Sequence, residues 1–94
     1  MERARRGDTA KVIASFNLDG DIKPLYVAVI DHSGREITAK ILRSTLFDTR
    51  SEFGHKCNFY RCLCQVEDKK EEMLLKYYFD EHVWTATRER KNKM

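Results

Sequence analysis

The sequence is short of several things, and each shortage excludes something. No run approaches the roughly 20 consecutive apolar residues needed to cross a bilayer. The basic start, "MERARRGDTA", lacks the apolar stretch of a secretory signal. A soluble, cytoplasmic protein is therefore expected, without a membrane partner. Proline occurs once and glycine four times. There is no low-complexity tract, long linker or internal repeat. The glycines stand apart at turn-like places, so none builds a phosphate-binding loop. Cysteine occurs three times, an odd number, with no C-x-x-C pair. That suits a reducing compartment better than a disulfide framework.

What is present is enough for one folded domain. The chain has 94 residues, 41% hydrophobic, 11% aromatic and 35% charged. This length is near the lower size at which one apolar core suffices. The net charge of +3 is unevenly placed. Arg3, Arg5, Arg6 and Lys11 give residues 1–11 a charge of +2, and Arg88, Arg90, Lys91 and Lys93 give residues 85–94 a charge of +3. The body between them carries −2. A nucleic-acid-binding domain usually concentrates basic charge on its folded face. The expected organisation is a basic, flexible tail over 1–10, one domain over 11–87 and a second basic tail over 88–94.

The dominant pattern is period-two alternation, the mark of half-buried strands. In "KVIASFNL" one parity holds Val12, Ala14, Phe16 and Leu18. Asp19-Gly20-Asp21 then reads as a hairpin turn, because Asp and Gly tolerate the positive φ of tight turns. Leu25 to Ile30 is apolar on both parities, a strand covered on both sides, with Pro24 at its start. After a turn at Asp31–Gly34, "REITAKIL" alternates again. Residues 48–55, "DTRSEFGH", read as a polar loop with Phe53 tucked back. "KCNFYRCLCQV" is a fourth strand. Residues 69–84 are ambiguous. Met73, Leu75, Tyr77 and Phe79 share a face if the segment is two strands joined at Asp80-Glu81. Leu74, Leu75, Tyr78, Phe79, His82 and Val83 share one if it is a helix capped by Asp68 and Glu71. Strand-forming Tyr, Phe, Val, Trp and Thr favour the strands. The expected fold is all-β, a small antiparallel meander or open barrel of five to six strands. An α+β fold with a C-terminal helix around 69–84 is the alternative.

"KVIASFNLDGDIKPLYV", followed by "LKYYFDEHVW", resembles the short all-β orphan proteins carried on bacterial mobile elements. The likeness lies in the rhythm and in the "DG…KPL" corner, and spans most of the body. Those proteins begin near "KVIA", which would make residues 1–10 an extension. The resemblance implies a fold and no activity.

The most chemical-looking stretch is "HKCNFYRCLCQ". His55, Cys57, Cys62 and Cys64 offer four zinc-type ligands. Structural zinc sites use C-x₂₋₄-C knuckles that let sulfurs converge, whereas the spacing here is H-x-C-x₄-C-x-C. On a strand Cys62 and Cys64 point the same way, about 6.5–7 Å apart, and Cys57 points the other way. Tyr60, Cys62, Cys64 and Val66 then form a core face, with the cysteines packing as small hydrophobes. Cys57, off that parity and next to the loop containing His55, is the one cysteine worth testing for reactivity, and it should label faster than Cys62 and Cys64. A low thiol pKa needs cations or a helix N-terminus, and no third group orients a Cys–His pair. No catalytic constellation and no cofactor are expected.

The leading expectation is a small non-enzymatic binding module, an accessory protein that recognises another macromolecule, most simply a protein. Its contact surface would be an exposed strand edge or a patch including Tyr26, Phe53 or Tyr78. One alternative is a nucleic-acid-binding barrel. Tyr26, Tyr60, Tyr78 and Trp84 would stack bases, and Arg3, Arg5, Arg6, Arg88, Arg90 and Lys91 would meet phosphates. The other alternative is a small zinc protein on the ligand set above. Oligomeric state is left open.

Overall fold

The structure, a computed structural model, describes residues 8–30 and 33–89. Six strands follow in order: β1 (Asp8–Phe16), β2 (Ile22–Ile30), β3 (Glu36–Glu52), β4 (His55–Val66), β5 (Lys69–Tyr78) and β6 (Val83–Glu89). Each pairs antiparallel with the next, and β6 returns to β1 through Asp8–Ala10 against Trp84–Ala86, closing a barrel. Closure removes the edges that a flat sheet of six strands would expose. Residues 69–84 are two strands and not a helix, because Met73, Leu75 and Tyr77 reach the barrel interior with period two.

The interior is the face that the alternation predicts. Val27, Ala39, Ile41, Tyr60, Cys62, Cys64, Val66, Met73, Leu75, Tyr77, Trp84 and Ala86 are buried together, with Val12 and Ala14 packed against them. Three aromatics anchor one end. Trp84 lies 4.9 Å from Tyr77 and 5.7 Å from Tyr60 between ring centroids. At the other end Arg88 closes the interior with a two-pronged bond to Glu71, at 2.9 and 2.6 Å. The strands also run further than the alternation indicates: β1 begins at Asp8 and β6 continues through Arg88.

β3 is the strand that differs most from expectation. Residues 48–52 continue the strand instead of forming a loop, and Phe53-Gly54 makes the hairpin turn. Both turn residues have positive φ, 54° and 81°, the conformation a two-residue hairpin needs to match strand twist. Phe53 is thus not tucked back; it stands 62% exposed at the tip. Two register shifts against β4 leave Leu42 and Phe47 as extra residues in β3. Bulges bend a strand and increase its twist, which matters for what lies between β3 and β2.

A second, smaller cluster sits on the outside of the barrel, where Cys57, Phe59 and Tyr78 are buried with Leu74 against them. The extended part of β3 covers it. Phe47 packs edge-on against Phe59 at 6.1 Å, and the Arg50 guanidinium lies 4.4 Å from the Phe59 ring centre. Glu52 reaches over the same cluster to Lys76 and to the Tyr78 hydroxyl.

Candidate functional site

β2 and β3 are hydrogen-bonded only where Tyr26–Ile30 faces Glu36–Lys40. Beyond that point they part. β2 continues back to Ile22 paired to β1 alone, and β3 continues to Glu52 paired to β4 alone. Pro24, which has no N–H to donate, is opposite Ala14 of β1 but lies two residues beyond Tyr26, the last residue of β2 paired to β3, and proline is tolerated where a strand has a neighbour on one side only. The bulge at Leu42 begins where the strands separate, and bending there carries β3 off its neighbour. The result is an open cleft of about 310 Å³ in the barrel wall.

The cleft walls come from two strands and one turn. Ile22 and Lys23 line it from β2, and Ser44 and Leu46 from β3. Gly20 and Asp21 form its upper lip, and their position is fixed by Asn17. The Asn17 carboxamide oxygen accepts from the backbone N–H of Asp19 at 3.0 Å and of Asp21 at 2.9 Å. The Gly20 N–H donates to the Asn17 carbonyl at 3.0 Å, and the Asn17 N–H to the Asp21 carbonyl at 3.1 Å. This is an Asx turn. For the Asp19–Gly20 turn the capping atom belongs to Asn17 and not to the aspartates that flank the glycine. Asp31 lies outside the described residues.

The floor is Asn58 and Tyr60, which project inward from β4. Thr49 Oγ1 donates to Asn58 Oδ1 at 2.7 Å, and Asn58 Nδ2 donates to the Tyr60 hydroxyl at 2.9 Å. The Tyr60 hydroxyl therefore receives a proton, and its own proton meets no acceptor among the described residues. The residue is 3% exposed. Burial, with Asp21 among the nearby negative groups, raises its pKa, so the phenol stays protonated and remains a donor.

The expected contact residues are not gathered in one place. Tyr26 is 40% exposed and faces outward opposite Ile13 and Lys40. It lines a smaller outer groove of about 230 Å³, beside an ion pair of 3.2 Å from Lys11 to Glu36. Phe53 is at the far end of β3. Tyr78 is 1% exposed and donates its hydroxyl to Glu52 at 3.0 Å, so it offers no surface. Tyr60 and Trp84 are core residues and provide no platform for bases. Arg88 is engaged by Glu71. Arg3, Arg5, Arg6, Arg90 and Lys91 lie outside the described residues.

The zinc set does not converge. Cys62 and Cys64 face the barrel interior, while Cys57 belongs to the outer cluster. His55 Nδ1 is 3.2 Å from Asp80. Among the described residues no group of three or more His, Cys, Asp or Glu side chains could hold a metal ion. The expectation that Cys57 is the accessible thiol is corrected: it is 0% exposed, as Cys64 is. The outer cluster that covers it depends on the part of β3 that reads as loop in the sequence. Burial pushes all three thiols up, Cys62 to about 12 and Cys64 to about 11, and Glu52 adds to the rise at Cys57.

All three cysteines are thus expected to resist a thiol reagent at pH 8 in the native state. Labelling should be about 100-fold or more slower than in urea, since it requires an opening of the structure. The same shifts set a pH dependence. Unfolded thiols ionise near 9.0 while Cys62 and Cys64 hold their protons to about 12 and about 11. The unfolded state then binds fewer protons, so this contribution is complete below pH 9 and declines as pH rises towards 11–12. Rapid native labelling of Cys57 alone would show that the outer cluster is loose.

The fold and the cleft define the class: a small, all-antiparallel, six-stranded closed β-barrel whose wall parts between β2 and β3. No protein-family model matches the chain, and neither a curated protein nor a solved structure matches it.

Proposed function

We propose that this protein is a small binding module that takes an extended segment of another protein into the β2–β3 cleft as an added strand. The carrying observation is the edge of β3. From Leu42 to Leu46 it has a strand on only one side among the described residues, so backbone N–H and C=O groups face the cleft without a ladder partner. Strand addition supplies partners for such groups, and pockets for alternate side chains supply specificity. Leu42, Leu46 and Phe47 are exposed large hydrophobics beside this edge, and they add apolar contact area for an incoming strand. Lys23, Lys40 and Arg43 flank the opening, and charges of this kind limit indiscriminate edge pairing.

The reading selects binding over catalysis and uses no cofactor. It is tested with ¹⁵N-labelled protein and the blocked pentapeptide acetyl-Thr-Val-Gln-Val-Thr-amide. Saturable shifts should concentrate in Ile22–Leu25 and Leu42–Leu46. Shifts confined to the outer groove at Ile13 and Tyr26 would place binding elsewhere.

A further inference from the structure

The cleft holds more donors and acceptors than strand addition alone uses. Tyr60 offers a buried hydroxyl proton with no acceptor among the described residues. Ser44, half-buried in the wall, has no hydrogen-bond partner among the described residues. Asn58 uses Oδ1 for Thr49 and Nδ2 for Tyr60, and an amide nitrogen carries a second hydrogen. These donors line one cleft and favour a group that accepts hydrogen bonds.

The charges decide which group. Asp21 and Lys23 line the same cleft with opposite signs. A carboxylate entering the cleft would meet the donors but face Asp21. An ammonium would meet Asp21 but face Lys23, and would leave the Tyr60 and Ser44 protons without an acceptor. A carboxamide is neutral and has both faces. Its oxygen accepts from Tyr60 and Ser44, and its NH₂ donates to the Asp21 carboxylate. The stems of Ile22 and Leu46 provide apolar walls for its methylenes. The volume is at the small end of ligand pockets, which run roughly 300–1,000 Å³, and suits one side chain.

We infer that the β2–β3 cleft is a seat for a carboxamide side chain, Gln or Asn, carried by the added strand. This rests on the strand-addition reading and names the chemistry that the strand must bring. The side chain enters between Ile22 and Leu46, and Tyr60 reads its oxygen.

The test compares acetyl-Thr-Val-X-Val-Thr-amide peptides with X as Gln, Glu, Lys and Leu, by NMR titration of the full chain. The Gln peptide should bind tightest, by about 3- to 10-fold over Leu, the range one or two buried hydrogen bonds supply. Tyr60→Phe should remove most of that preference. Because Tyr60 is a core residue, Ser44→Ala and Asp21→Asn at the cleft surface carry the test if that variant fails to fold. Asp21→Asn should narrow the gap between Gln and Glu peptides and leave the Leu peptide unchanged, a charge-specific response that a merely structural residue would not give.

Equal binding of all four peptides at the β3 edge would overturn the carboxamide seat and leave strand addition standing. If none of them shifts the edge, strand addition fails, and acetyl-Gln-methylamide against acetyl-Glu-methylamide then decides the seat alone. Saturable shifts at Ser44 and the Asn58 side chain with Gln only would support it, and no shift with either would overturn it. A dimer by sedimentation whose edge amides are already protected would put a second copy in the cleft and overturn both.

Discussion

Glu52→Ala is expected to destabilise the fold by about 3–5 kcal/mol, the range seen when one partner of a buried pair is removed. Lys76 is 4% exposed, and its Nζ lies 3.1 and 3.5 Å from the two Glu52 carboxylate oxygens. Tyr78 donates to the same carboxylate at 3.0 Å. Removing Glu52 takes away the carboxylate that the Lys76 ammonium and the Tyr78 hydroxyl share in the outer cluster. The Glu52 side chain is partly solvated, so some water enters and the lower end of the range applies. The double variant Glu52→Gln/Lys76→Met removes both charges and keeps an acceptor for Tyr78. It is expected near wild type, because a buried ion pair adds little over a well-packed neutral replacement. Urea titrations check both. A single variant within 1 kcal/mol of wild type, or a double as unstable as the single, would show that the pair is solvated in solution.

Trp84→Ala should have an effect of similar size, about 3–5 kcal/mol. Trp84 is buried against Tyr77 and Tyr60, and it faces Ala10 across the short ladder that closes β6 onto β1. Truncation opens a cavity and weakens the barrel seam together. A domain of this size has about 5–15 kcal/mol in total, so the variant is left with little margin. Trp84→Phe keeps most of the contact and should lose much less. Because Trp84 is the only tryptophan, unfolding is followed by circular dichroism. A loss under about 1 kcal/mol for the alanine variant would mean that the aromatic trio does not anchor the core.

Much of the barrel was legible because its inner face is written with period two. Val12 and Ala14, then Ile37, Ala39 and Ile41, then Tyr60, Cys62, Cys64 and Val66 lie where alternation puts them. The Asp19-Gly20 corner turned as its residues require, with Gly20 at φ 89°. What failed was strand structure without an apolar face. Asp48, Thr49, Arg50 and Ser51 are polar on both parities, so the end of β3 reads as loop. That error hid the outer cluster, and with it the burial of Cys57 and Tyr78, which depends on Phe47, Arg50 and Glu52 arriving from β3. The helical alternative for 69–84 arose because Leu74, Leu75, Tyr78 and Phe79 are apolar at both periods. Tertiary pairing with β4 settles it.

The cleft was the least legible feature. It depends on where the β2–β3 ladder stops, which is a register property and not a residue property. Pro24 was the one local signal, since proline avoids paired strand interiors. Nothing in the sequence joins Ser44, Tyr60 and Asp21, which come from three separate segments. The role of Asn17 was available in principle, as Asn two residues before a backbone N–H is a turn signal, but the neighbouring aspartates offer the same chemistry.

Amide hydrogen exchange along β3 tests the central claim most directly. In the free protein, the alternate amides of Leu42–Leu46 that face the cleft should exchange freely, while those paired to β4 are protected. Saturating acetyl-Thr-Val-Gln-Val-Thr-amide should slow the cleft-facing set and leave Glu36–Lys40 unchanged. Cleft-facing amides that are already protected in the free monomer, or that stay unprotected when the peptide is bound, would contradict strand addition at this edge.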